Sequence, residues 1–140
     1  MARPTSFRLQ TELLERLDAE AATSGMSITA LVSVVLDEGL KVRRFPGIVY
    51  RDGPAGRRAG LVSGPDVWEL IRAVRAAKGK GSQRIRQVAE ERGLTIAEVS
   101  RAVDFYTAFP DEVDLRIAAD EEAAREVRDL IDRRARLLSS

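Results

Sequence analysis

The side chains available for chemistry in this chain are hydrogen-bonding and charged ones, because it contains no His and no Cys. That excludes the usual zinc ligand sets, disulfides and imidazole acid–base work together. The adjacent acids Asp111, Glu112 and Asp114 remain as candidates for metal or acid chemistry. They follow Pro110 at the start of a helical pattern, where acids favour the helix dipole, so a capping role is expected instead. Other carboxylates are scattered over helical faces without a nucleophile–base pair. No enzyme, no metal site and no cofactor is therefore expected. The polar residues with the most telling spacing are Ser6, Arg8 and Gln10, which alternate with Phe7 and Leu9 in Thr5–Gln10.

A period of two predicts a strand with one polar and one apolar face. Six residues cannot make a sheet alone, and no second strand follows before the chain turns helical. The partner strand is then expected from a second copy. Thr11 is the expected N-cap of a first helix, with Glu12 in its first turn and Leu13, Leu14, Leu17 and Ala21 at helical spacing. Gly25 should end it, and Ser27 should cap a second helix running to about Val42. Ile28, Leu31, Val32, Val34, Val35, Leu36 and Leu40 make that helix apolar over most of its circumference. Forty residues hold too little core to bury it, so a homodimer through residues 5–42 is expected.

Residues 4–43, with the alternating strand, the two helix lengths and the Gly25–Thr29 turn, resemble the ribbon-helix-helix family of Arc, MetJ and CopG-type regulators. The resemblance implies double-stranded DNA as partner, with the paired ribbon in the major groove of an operator. Carried over by position, the base contacts would be Ser6, Arg8 and Gln10. Arg suits guanine and Gln suits adenine bidentately, while Ser is tolerant. The phosphate contacts would come from the start of the second helix, Ser27, Ile28 and Thr29, with Arg3 on the backbone beside them.

Composition is that of an ordinary soluble protein, with 44% apolar and 32% charged residues. The charge is uneven. Residues 1–65 carry nine basic and seven acidic side chains, residues 66–101 eight and five, and residues 102–140 six and ten. The first two-thirds could face a polyanion, whereas the acidic tail argues against nucleic acid there. Without a signal peptide or an eighteen-residue apolar run, a cytoplasmic protein without membrane contact is expected.

Phe45-Pro46-Gly47 should break the second helix. Gly47–Arg51 and Arg58–Val62 flank the Gly/Pro-rich turn 52–56 and predict a small hairpin, with Arg57 and Arg58 at its tip as candidate secondary DNA contacts. Ser63-Gly64-Pro65-Asp66 should cap a helix from Val67 to about Ala77, with Trp68 in the core. Val88, Ala89, Gly93, Leu94, Val99 and Ala102 fall at helix-turn-helix spacing, with Thr95 and Glu98 as a capping box. Only Ser100 and Arg101 would offer base-reading donors, so packing or protein contact is expected more than DNA readout. Arg101 is kept as a third candidate secondary DNA contact.

From Gly47 to about Ala118 the phrases PGIVYRDGPAGRRAGLVSGPDVWELI and AVDFYTAFPDEVDLRIA resemble a winged-helix-like domain in the C-terminal half of some VapB-type antitoxins. That resemblance implies a PIN-like ribonuclease toxin as partner of the C-terminal half. Asp111–Ser140 should form one helix with a stripe of Ile117, Ala124, Val127, Ile131, Ala135 and Leu138, supported by pairs such as Glu121/Arg125. The stripe could dock on its own domain, on a dimer mate or in a partner's groove.

Together these features predict an α+β, mainly α protein. Residues 1–45 are expected to form a ribbon-helix-helix domain, and residues 46–140 a winged-helix-like domain with a long terminal helix. The expected function is an antitoxin-type transcriptional repressor of its own operon. A stand-alone repressor, or a partition or nucleoid protein using both modules on DNA, is the alternative.

Overall fold

The computed structural model describes residues 1–54 and 56–140, so the part of the expected turn at Ala55 lies outside the described residues. The chain is mainly helical, with one two-stranded antiparallel sheet, and divides into compact units at Met1–Arg44 and Phe45–Ser140.

The first unit is built from α1 (Thr11–Ser24) and α2 (Ile28–Arg44), preceded by ten exposed residues without helix or strand. The expected strand at Thr5–Gln10 has no partner in one chain, and Gln10 keeps an extended backbone with ψ 145°. Gln10, not Thr11, is the N-cap. Its carbonyl accepts the Leu14 N–H at 3.1 Å, and Thr11 is already helical. Gly25 closes α1 in the left-handed region at φ 68°, where the Met26 N–H reaches back to the Ala21 carbonyl at 3.1 Å. That is the bond pattern of a glycine-terminated helix end. The chain then bends by 103° into α2. Only Ala21 and Leu31 are buried in this unit, while Phe7, Leu9, Leu13, Leu14, Ile28, Val35, Leu36 and Leu40 remain exposed.

The second unit begins with Phe45, which is a core residue and not merely a helix breaker. Its ring packs edge-on against Phe105 and Phe109, with centroids 5.6 and 5.9 Å away. Strands β1 (Ile48–Arg51) and β2 (Arg58–Leu61) pair in the register Ile48↔Leu61 through Arg51↔Arg58, which turns Ile48 and Leu61 inward. Helices α3 (Val67–Ala76), α4 (Ser82–Arg92) and α5 (Ile96–Ala108) follow. Val67, Leu70, Ile71, Val88, Val99, Ala102 and Phe105 bury themselves between these helices and the hairpin. Trp68 is only half-buried at the edge of this core.

Gly60 permits the close approach of β2 to the following loop. A Cβ there would lie 3.3 Å from the Pro65 carbonyl oxygen and 3.2 Å from Asp66 Oδ1. Gly93 turns α4 into α5 at φ 65°. The capping box that starts α5 is complete. Thr95 Oγ1 accepts the Glu98 N–H, and Glu98 Oε1 accepts the Thr95 N–H, each at 3.0 Å.

Helix α6 (Pro110–Ser139) is one uninterrupted helix of 30 residues. Val113 and Ile117 dock it on the core, whereas everything from Glu121 onward is exposed. Arg125 pairs with Glu122 at 2.9 Å rather than with Glu121, because the three-residue spacing brings the carboxylate within reach of the guanidinium. The acids near its start are also not simple caps. Glu112 accepts the Tyr50 hydroxyl at 2.9 Å, and Asp114 accepts from Arg75 at 2.9 Å and Tyr106 at 3.0 Å. Among the described residues, no helix is long and apolar enough to cross a membrane.

Candidate nucleic-acid interface

The candidate interface begins with a segment whose backbone hydrogen-bonding groups are largely unused. Arg3, Ser6, Arg8 and Gln10 are exposed, and Phe7 keeps 78% of its surface open. An extended stretch that displays an uncovered phenylalanine beside unpaired amides is poised to add to another strand. Alternation sends Phe7 and Leu9 to one face of such a strand and Ser6, Arg8 and Gln10 to the other.

The α2 N-terminus lies within the same unit. Ser27 Oγ accepts the Ala30 N–H at 3.1 Å, and the Ser27 carbonyl accepts from Leu31 at 2.9 Å. The Ile28 and Thr29 amides stand in the first turn, where helix geometry provides no intrahelical acceptor. Ser27, Ile28 and Thr29 are all exposed, so an incoming anion could take these donors along the helix dipole.

Between the two helices runs an open groove of about 430 Å³, with Leu13, Leu17, Leu31 and Val35 among its lining residues. This concavity was not legible as a site in the sequence. The apolar spacing of each helix was visible, but which residues would stay uncovered depends on how two short helices cross.

The candidate secondary contacts all belong to the other unit, and their environments differ. Arg57 lies at the hairpin tip, 42% exposed, with Asp52 Oδ1 3.1 Å from its guanidinium. Arg58 does not extend from the tip. It turns inward, and its Nε donates to Asp66 Oδ2 at 2.5 Å. The reason is electrostatic: Asp66 is 8% exposed, and a carboxylate that buried needs counter-charge and donors. Trp68 Nε1 donates to the same oxygen at 3.1 Å, and the Arg51 guanidinium lies 3.5 Å from Oδ1. Arg58 is therefore an internal ion-pair partner. The expected helix cap at Asp66 proves to be the centre of this cluster as well.

Arg101 is half-buried and lines an open groove with Pro46, Leu61, Val62, Ala97 and Glu98. The first exposed turn of α5 offers little for base reading, because Ile96 and Ala97 are apolar and Glu98 is engaged. The Ser63 hydroxyl donates to Glu98, and this bond, followed by the Thr95 backbone and side-chain bonds, holds the Glu98 carboxyl below its ordinary range. A fixed negative charge at this point opposes a phosphate backbone.

In comparisons with protein-family models, curated proteins and solved structures, nothing matches this chain.

Proposed function

We propose that the protein is a sequence-specific DNA-binding transcriptional regulator that acts as a dimer of its first unit. The observation that carries this reading is the unit's incompleteness. An unpaired extended segment with polar–apolar alternation leads into two helices that bury only Ala21 and Leu31 around an open apolar groove. A second copy supplies the missing strand and covers the exposed leucines and valines. Two Thr5–Gln10 segments then form a ribbon-helix-helix arrangement, with Ser6, Arg8 and Gln10 of both copies on one polar face.

In that arrangement the ribbon enters the major groove, where Arg8 and Gln10 donate and accept at base edges. Arg3 and the first turn of α2, Ser27 to Thr29, hold the flanking phosphates and set the register. Two-fold symmetry of the ribbon makes the operator palindromic. Arg57 and Arg101 are secondary phosphate contacts at most, and the second unit is the part that would meet a protein partner such as a toxin.

Selection from a random pool of duplexes tests this function. The expected result is enrichment of a palindrome bound with a steep loss of affinity as salt rises, as phosphate neutralisation requires. Binding that enriches no sequence would contradict it. Co-purification of a small ribonuclease after expression from the native operon tests the antitoxin role separately.

A further inference from the structure

The distal half of α6 takes no part in the DNA-binding reading, and it has the features of an interface. Asp120 is the last residue of the helix tied to the rest of its unit, through an ion pair with Arg72. From Glu121 onward every residue is exposed. Val127, Leu130, Ile131, Leu137 and Leu138 lie on one broad stripe and keep between 55% and 74% of their surfaces open. Five large aliphatic side chains gathered on one helical face favour being covered, at about 25 cal/mol per Å².

The charges say what covers them. Residues 121–132 carry five acids, Glu121, Glu122, Glu126, Asp129 and Asp132, against two arginines. Residues 133–140 carry three arginines, Arg133, Arg134 and Arg136, and no acid. The two halves thus have net charges of −3 and +3 and are complementary to each other, but not within one straight helix. Among the described residues, no ion pair engages Arg133, Arg134 or Arg136.

We propose that this segment docks on the same segment of a second copy, with the two helices antiparallel. An antiparallel pair sets the basic end of each helix beside the acidic stretch of the other. Ala124, Val127, Ile131, Arg134 and Leu138 repeat at alternating spacings of three and four, the seam of a two-helix pair. With the two-fold axis between Val127 and Ile131, Ile131 of each copy packs on Val127 of the other. Arg134 then falls against Ala124, next to Glu121. A parallel pair would instead stack Arg134 on Arg134 and each acidic stretch on its own copy, which repulsion opposes.

The uncovered part of the helix is about 28 Å long at 1.5 Å per residue, and it offers roughly 500 Å² per copy. The total approaches the ~1,000 Å² that a specific interface needs. A foreign helix would require no such internal charge symmetry; a second copy does. This pairing is independent of the DNA-binding reading.

The chain has no native cysteine, so introduced thiols report the geometry directly. Full-length Ala124→Cys and Arg134→Cys variants are co-expressed and oxidised, and the linked species are identified by intact mass. The mixed disulfide should exceed both self-linked products severalfold. Adding Val127→Glu and Ile131→Glu to both variants should abolish linkage while helix content by circular dichroism stays unchanged. Self-linked Arg134→Cys as the main product, linkage only to other proteins, no linkage at all, or linkage that survives the glutamates would each overturn the proposal.

Discussion

Asp66 concentrates more structural consequence than any other charged residue in the second unit. Its carboxylate meets Arg58, Arg51 and Trp68 while almost wholly buried. Removing one member of a buried charge cluster strands the rest, typically at about 3–5 kcal/mol. Here the low end applies, because the Arg58 and Arg51 side chains stay 24% and 31% exposed. Asp66→Ala should therefore lower unfolding free energy by about 3 kcal/mol in urea titration, with helix content of the folded state unchanged. Asp114 acts on the surface by a different route. Its bond from Arg75, and then that from Tyr106, hold its carboxyl below the ordinary range. A carboxyl whose folded pKa is depressed contributes stability above its unfolded pKa and loses it as pH falls through the folded one. Asp114→Asn should accordingly have a lower Tm than the parent at pH 7, with the gap closing below about pH 3.8, the ordinary value for the group. An equal gap at both pH values would show that the residue acts through packing.

At the scale of elements, local chemistry decided most boundaries. Ser27, Thr95 and Pro110 start helices, and Gly25 and Gly93 end them, each by a mechanism readable from one or two residues. Gly93 makes this testable. A Cβ added there meets no atom within 4 Å, so Gly93→Ala should cost only the left-handed backbone penalty, about 1 kcal/mol, measured as a fall in Tm. The same kind of reading failed where an element's role depends on distant partners. Arg58 stands beside a turn in sequence, but the buried Asp66 carboxylate draws it inward. Phe45 follows a helix and precedes Pro-Gly, the pattern of a linker, but Phe105 and Phe109 make it a core residue. Glu112 and Asp114 sit where caps are expected, and Tyr50, Arg75 and Tyr106 claim them. Thr5–Gln10 is the instructive intermediate case. Its alternation was legible at once, yet pairing is a property of two strands, and one chain contains only one of them.

At the scale of the whole molecule, the two units contrast in how far each is complete. The second surrounds Phe105, Leu70, Val88 and Val99 without a partner, whereas the first buries two residues and exposes eight large apolar ones. A unit of that kind gains its stability by association, so its unfolding should depend on protein concentration. Tenfold dilution through the micromolar range should lower the transition of the first unit and leave that of the second in place, as followed by amide hydrogen exchange. The central claim, that Ser6, Arg8 and Gln10 of two copies form one reading surface, is tested most directly by an anisotropy titration. The duplex enriched from a random pool by the parent protein is titrated with parent and with Arg8→Ala. Each lost base contact is worth about 1–3 kcal/mol, so a loss of tenfold or more in affinity for that duplex is expected, with binding to unrelated duplex much less changed and the dimer intact by sedimentation. Equal affinity of the two proteins for the enriched duplex would contradict the claim.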